Sequence, residues 1–169
     1  PADVAKRQDD DSAFWETHSN KHAASFSEGL LQEAVRELKQ STHPLVIIGV
    51  GVDPILDAEK VNEFVDKTKI PVMATPKAKG VVPESSPLYL ATAGGMAGDR
   101  LVLEFLEKVD LVVGIGFDPV ESDKMWHKDK KLLSIDSVTT ADCAYAPSLE
   151  LTGNVGSILT RILDSYEPV

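Results

Sequence analysis

The sequence predicts an α/β fold, doubly wound, in which a mostly parallel β-sheet carries helices on both faces. Short apolar runs alternate along the chain with stretches in which apolar residues recur every three or four positions, as strands alternate with amphipathic helices. The short runs are apolar throughout, which is typical of parallel strands buried on both faces. With 169 residues, 43% of them hydrophobic, the chain is long enough for one domain with a substantial core.

The elements follow in order from the amino terminus. Residues 1–25 are polar and without a sustained period, which predicts an interdomain linker and a chain that is one piece of a larger protein. Ser27 is the expected N-cap of a first helix, which should end before His43 and Pro44. The pattern then predicts a strand over 45–48, a surface helix over 57–67, a second strand over 71–75 and a long loop over 77–90.

The carboxyl half repeats the pattern. A glycine-rich turn at 94–98 precedes a helix over 99–109, and a third strand covers 110–116. The fourth strand covers 132–136 and ends in Asp136, and Asn154 is expected to cap a last helix after a short fifth strand over 149–153. Residues 26–169 are therefore predicted to form one domain, with five strands visible in the residue pattern.

Composition and charge exclude several classes of partner. The formal net charge of −10 opposes binding to nucleic acid or to an anionic membrane surface. No apolar run reaches the roughly 18 to 20 residues of a membrane helix, and no secretory signal opens the chain. The single cysteine, Cys143, is consistent with a small packed residue and with no disulfide framework. These features predict a cytoplasmic protein that binds neither nucleic acid nor a membrane.

Ligands of open parallel sheets bind at the carboxyl ends of the strands, where glycine lets the backbone approach a phosphate. Gly49 and Gly51 follow the first strand, but the usual dinucleotide fingerprint fails because its third glycine position holds Pro54. No acid ends the second strand, where a ribose-binding carboxylate would be expected. Plain tight turns are therefore the favoured interpretation of these two glycines, with nucleotide contact as the alternative.

The glycine-rich turn before the third helix is the better candidate for a phosphate contact. It lacks the lysine and hydroxyl of a P-loop, so a turn that simply needs glycine torsions stays open as the alternative. The candidate cofactor-binding residues lie at strand ends and in glycine turns, and they are Gly49, Gly51, Thr75, Lys79, Gly80, Gly95, Met96, Gly98, Gly116, Asp118 and Asp136.

No catalytic residue and no metal ligand is predicted. Asp118 and Glu121 follow the third strand and could act as a general acid or base, but a partner other than His127 is missing. A turn fixed by Pro119 is the favoured interpretation. The scattered histidines, including the pair His18 and His22, lack the third ligand that a zinc site needs.

Six segments occur in a characteristic order and spacing: PLVIIGVGV (44–52), IPVMATPKAKGVVPESSPLYL (70–90), GGMAG (94–98), VDLVVGIGFDPVE (109–121), LLSID (132–136) and LELTGNVGSIL (149–159). Together they resemble the central domain of thiamine-diphosphate-dependent enzymes, and the catabolic, FAD-independent acetolactate synthases most of all. The first six residues, PADVAK, resemble the tail of the preceding pyrimidine-binding domain.

This resemblance implies a six-stranded, Rossmann-like sheet of the NAD/FAD-binding-domain type. It also implies a homo-oligomeric parent enzyme that acts on 2-oxo acids such as pyruvate as a carboligase or decarboxylase. In that family, thiamine diphosphate and Mg²⁺ are held by flanking domains: a pyrimidine-binding domain supplies the activating glutamate, and a diphosphate-binding domain binds the diphosphate through Mg²⁺ with a Gly-Asp-Gly motif. The nearest string here is Gly98-Asp99-Arg100. The chain by itself is therefore expected to bind neither cofactor and to be catalytically inactive.

Two departures argue against bound flavin. Ala97 stands where flavin-containing members of the family have a histidine, and the segment after Gly116 lacks their arginines. Two alternatives remain open: a free-standing module that binds FAD, ADP or NAD, like an electron-transfer flavoprotein domain, and a decarboxylase for another 2-oxo acid.

Overall fold

The computed structural model describes residues 26–94, 99–119, 130–140 and 146–166. The helices are α1 (Glu28–Gln40), α2 (Ala58–Thr68), α3 (Asp99–Leu106) and α4 (Val155–Ser165), with a short 3₁₀ helix at Pro76–Ala78. The strands are β1 (Pro44–Ile48), β2 (Val72–Ala74), β3 (Tyr89–Thr92), β4 (Leu111–Ile115), β5 (Lys131–Asp136) and β6 (Leu149–Thr152).

The six strands form one sheet in the order β3-β2-β1-β4-β5-β6, and every neighbouring pair is parallel. In the register, Val46 of β1 lies between Val72 of β2 and Val113 of β4. The chain builds outward from β1 to β3 on one side and from β4 to β6 on the other. The predicted doubly wound, Rossmann-like fold is thus confirmed, and the sheet is wholly rather than mostly parallel.

Helices cover both faces of the sheet because the strands are apolar on both faces. On one face, α1, α2 and α4 pack against residues such as Val46, Val113 and Ile135. On the other face, Val102 and Leu106 of α3 belong to a second cluster of buried side chains. These two cores hold the strand ends, and therefore the loops that follow them, in fixed positions.

Local signals correctly placed the starts of two helices. Ser27 Oγ accepts a hydrogen bond from the amide of Leu30 at 3.2 Å, and Asn154 Oδ1 accepts one from the amide of Ser157 at 2.8 Å. Both bonds satisfy amides that have no partner within the helix. The first helix ends at Gln40, before His43 as predicted.

The structure corrects the sequence-based prediction at two elements. The predicted loop over 77–90 is wrong at its end, because Tyr89 and Leu90 belong to the edge strand β3. The third helix ends at Leu106 rather than at residue 109, since the amide of Val109 turns back to the carbonyl of Leu106 in a tighter bond. The predicted linker over 1–25 lies outside the described residues.

No helix in the described ranges is both long enough and apolar enough to cross a membrane.

Candidate functional site

A cleft opens at the carboxyl edge of the sheet, between β1 and β4, where the direction of strand building reverses. Crevices of this kind are where open parallel sheets bind their ligands. The cavity here measures about 560 Å³ and extends along the tips of β1, β4 and β5. Its lining residues are Val50, Gly51, Gly116, Phe117, Asp118, Pro119, Asp136, Ser137, Val138, Thr139 and Thr140.

Three glycines allow the loops after β1 and β4 to approach each other closely, and two of them, Gly51 and Gly116, line the cleft. An added Cβ on Gly49 would lie 2.4 Å from the carbonyl oxygen of Gly116, and one on Gly51 would lie 2.9 Å from the Cα of Gly116. Gly116 itself has a φ of +55°, and a Cβ there would lie 2.4 Å from the amide nitrogen of Val52. Side chains at these three positions would force the two backbones apart.

The backbone amides of Gly51 and Gly116 are engaged within the fold. The amide of Gly51 donates to the carbonyl of Gly116 at 2.8 Å, and the amide of Gly116 donates to Ile135 at 2.8 Å. A phosphate at a glycine-rich loop is normally held by such amides. The structure therefore gives Gly49, Gly51 and Gly116 a packing role, and their contact with a cofactor stays a prediction.

Asp136, at the tip of β5, is a carboxylate in the wall of the cleft with only 8% of its surface exposed. Its Oδ1 accepts hydrogen bonds from the amide of Val138 at 3.2 Å and from the hydroxyl of Ser137 at 3.3 Å. Burial raises the pKa of Asp136 above its usual value, and the negative charge of Asp118 adds to the rise. The hydrogen bonds oppose this shift without cancelling it.

The remaining predicted residues lie elsewhere. Thr75 is fully buried after β2, and its amide donates to the carbonyl of Ile48 at 2.8 Å. Lys79 pairs with Glu84 at 3.2 Å, and Gly80 has a φ of +93° with open space around it. None of Thr75, Lys79 and Gly80 lines the cleft. The predicted phosphate contact at Gly95, Met96 and Gly98 lies outside the described residues.

Sequence reasoning missed the outer wall of the cleft. Residues 137–140 follow β5 and contribute two threonines, a serine and the exposed Val138. No glycine motif marks this segment, but its position directly after a strand that ends in an acid was a usable signal.

The described residues do not fit thiamine diphosphate or its metal. No group of three or more histidine, cysteine or acidic side chains in the described ranges is arranged to hold a metal ion. The cleft presents the carboxylates of Asp118 and Asp136, and the amides of Gly51 and Gly116 in its wall are already bonded. A diphosphate would meet negative charge there without a compensating cation from these residues.

Comparisons with known proteins show what the chain is similar to. Residues 31–162 match the family described as "Thiamine pyrophosphate enzyme, central domain". The chain is 28% identical to an acetolactate synthase of Bacillus subtilis over 140 residues, 78% of this chain and 24% of that protein. It is 30% identical to a 2-hydroxyacyl-CoA lyase of Oryza sativa over 128 residues, 75% of this chain and 21% of that protein.

A solved structure, that of a candidate thiamin diphosphate-dependent enzyme from Mycobacterium smegmatis, resembles the fold. The TM-score is 0.67 with 27% sequence identity, and the match covers 89% of this chain and 30% of the other. The chain thus spans about a quarter of the length of the curated relatives described above, which carry further sequence that this chain does not match.

Proposed function

The chain belongs to the family of thiamine pyrophosphate enzyme central domains, and we propose that it is the non-catalytic middle domain of a longer thiamine-diphosphate-dependent enzyme. In this proposal, flanking pyrimidine- and diphosphate-binding domains of the same polypeptide hold the cofactor and Mg²⁺. The thiamine ring supplies the electron sink for cleavage or formation of a carbon–carbon bond beside a carbonyl. The central domain supports those two domains, and the parent enzyme is a homo-oligomer in the cytoplasm.

One observation carries the assignment of a supporting rather than a catalytic role. The cleft at the switch point, where such a fold would do chemistry, contains two carboxylates with no cationic side chain among its described lining residues, and the amides of Gly51 and Gly116 are already bonded. Nothing in that set would hold a diphosphate or activate a thiamine ring. This supports the proposal that the chemistry takes place in other domains.

The relatives suggest two substrate classes for the parent enzyme. One relative is named as an acetolactate synthase, which points to condensation of 2-oxo acids such as pyruvate. Others are named as 2-hydroxyacyl-CoA lyases, which points to cleavage of a 2-hydroxyacyl thioester. We favour the acetolactate synthase-like reaction, because the segment after Gly116 resembles that of the FAD-independent members of that group.

The test compares the 169-residue chain with the full-length protein, each supplied with thiamine diphosphate and Mg²⁺. We expect the full-length protein to convert pyruvate to acetolactate and CO₂, and the 169-residue chain to convert none. Turnover by the chain alone would contradict the supporting role. Turnover of a 2-hydroxyacyl thioester but not of pyruvate would transfer the parent enzyme to the lyase class.

A second candidate function is nucleotide binding in the cleft, which its position and its volume of about 560 Å³ favour. Asp136 would then accept a hydrogen bond from a ribose hydroxyl. Calorimetric titration with FAD, ADP and NAD tests this, with Asp136→Asn as the site variant and Asp66→Asn, on the exposed side of α2, as the matched control. Loss of about tenfold in affinity in Asp136→Asn alone would support it. Absence of binding by the unmodified chain would leave the supporting role.

A further inference from the structure

Exposed apolar side chains gather at the carboxyl edge of the sheet. Four of the six large hydrophobic side chains that are exposed in the described residues lie in loops after β1 and β5. Ile55 is 89% exposed and Leu56 is 72% exposed, and Val50 and Val138 stand at the mouth of the cleft. Single exposed hydrophobic residues are ordinary, but neighbouring ones at one edge mark an interaction surface.

Ile55 and Leu56 belong to a segment that we call the rim loop, residues 52–57. Hydrogen bonds hold its conformation: Asp53 Oδ1 accepts from the amides of Ile55 at 2.8 Å and Leu56 at 3.1 Å. Val52 is buried at one end of the loop. The two aliphatic side chains are therefore presented to solvent by a backbone with fixed hydrogen bonds, so ordering them against a partner costs little entropy.

Asp57 ties the other end of the rim loop to the body of the domain. Its Oδ2 accepts from the amide of Asp53 at 3.2 Å, and its Oδ1 accepts from the amide of Gly156 in the first turn of α4 at 3.1 Å. A loop that needed only to connect β1 to α2 would not require exposed aliphatic residues at its apex. The anchoring on both sides makes the rim loop a rigid projection with an apolar tip.

We propose that the rim loop is a docking surface for another domain of the same, longer polypeptide, which covers Ile55 and Leu56. This proposal rests on the proposed function, since that function supplies the flanking domains. The matched regions make up only 24% and 21% of the two relatives, so most of a parent polypeptide of similar length is available to cover this edge.

Charge specifies the chemistry of the covering face. Asp53 in the rim loop and Asp118 at the cleft are exposed acids of the same edge, in a chain whose formal net charge is −10. A partner with an apolar contact ringed by lysine or arginine is complementary to this edge, whereas a second copy of this acidic chain would bring like charges together.

The experiment measures side-chain exposure directly by photochemical carbene labelling, followed by mass spectrometry of the peptide that contains the rim loop. Labelling of Ile55 and Leu56 is compared between the 169-residue chain and the full-length protein. We expect labelling to fall by more than half in the full-length protein. Equal labelling of the two proteins would overturn the proposal.

Variants give an independent readout. The double variant Ile55→Ser/Leu56→Ser should lower the melting temperature of the full-length protein, while changing that of the 169-residue chain by no more than about 2 °C. Leu103→Ser, an exposed leucine on α3, is the matched control for loss of an aliphatic side chain. Equal effects of the double variant on both proteins would count against docking.

Two further outcomes separate the explanations. If the 169-residue chain dimerises in sedimentation experiments and the double variant abolishes the dimer, the occupant is a second copy and the proposal is overturned. If the full-length protein converts pyruvate and yet leaves Ile55 and Leu56 fully labelled, the docking proposal fails and the proposed function stands. If Ile55 and Leu56 are protected from labelling in the full-length protein but no tested substrate is converted, the docking proposal stands and the proposed function fails.

Discussion

The carboxylate of Asp110 accepts two hydrogen bonds of 2.8 Å from Thr42, one from its amide and one from its hydroxyl. The hydroxyl of Ser41 and the amide of His43, the latter at 3.1 Å, also donate to this carboxylate. Asp110 immediately precedes β4, and residues 41–43 connect α1 to β1. One side chain thus fixes the entry of the two central strands, at the edge opposite to the cleft.

Replacement of Asp110 by asparagine should destabilise the protein in a pH-dependent way. Burial alone would raise the pKa of Asp110, but the hydrogen bonds from Ser41, Thr42 and His43 outweigh it and hold that pKa well below its usual range. The folded state therefore gains stability from the charged form above the unfolded pKa of about 4, and this gain is lost as the pH falls.

We expect Asp110→Asn to lower the free energy of unfolding by about 0.5–1.5 kcal/mol at pH 7, because solvent screens this exposed carboxylate, with a smaller difference from wild type at about pH 2. Urea unfolding at both pH values measures the two differences. Asp66→Asn, at an exposed position of α2, should show neither effect. A difference that stays constant between the two pH values would show that the charge of Asp110 is not what stabilises the fold.

Replacement of Gly116 by alanine tests the close approach of the loops after β1 and β4. Alanine there must adopt a left-handed φ of +55° and also place its Cβ against the amide of Val52, so we expect a loss of about 3 kcal/mol or more. Gly80 is the matched control, because its φ is +93° but nothing lies within 4 Å of an added Cβ. Gly80→Ala should therefore cost only about 1–2 kcal/mol in thermal or urea unfolding. Equal losses in the two variants would mean that the close approach of the loops contributes nothing.

The features that sequence predicted correctly are those set by nearby residues. Ser27 and Asn154 cap helices through bonds to residues three positions along, and such bonds are visible as a local pattern. Strand β3 was missed because it is an edge strand, partly exposed at most of its positions, and its conformation depends on pairing with β2. The apolar run from Leu88 to Ala91 follows directly on a loop rich in proline and serine, which favoured the interpretation as a loop.

Only part of the cleft could be predicted from the sequence, again because its geometry depends on residues far apart in the chain. Glycines after a strand look alike whether they cradle a phosphate or allow another loop to approach closely. That Gly49 and Gly51 face the backbone of Gly116 follows from the pairing of β1 with β4, two strands far apart in sequence. The acid at Asp136 was found because it ends a predicted strand, whereas its neighbour Val138 has no motif of its own and is marked only by its position after that strand.

Asp57 joins two helices on one face of the sheet, because its carboxylate lies at the amino-terminal end of α4 and accepts from the amide of Gly156. A carboxylate at this end of a helix is also favoured by the helix dipole. Asp57→Ala should lower the free energy of unfolding by about 2 kcal/mol. Asp57→Asn keeps an acceptor for Gly156 and should cost less, and Asp66→Ala on the same helix should be close to neutral. If Asp57→Ala lowers the free energy of unfolding no more than Asp66→Ala does, the bond between Asp57 and Gly156 does not stabilise the fold.

Asp136 should show the opposite pH dependence to Asp110. Burial in the cleft raises its pKa, so the charged form is disfavoured in the folded state, and the penalty appears as the pH rises above about 4. Asp136→Asn keeps an oxygen to accept from Val138 and should raise the free energy of unfolding at pH 7, by about 0.5–2 kcal/mol. The gain should disappear near pH 3.5 in urea unfolding, where the wild-type carboxyl is neutral. Lower stability of the variant at pH 7 would show that interactions within the fold compensate the charge of Asp136. Its burial would then leave no unfavourable free energy for a bound ligand to relieve.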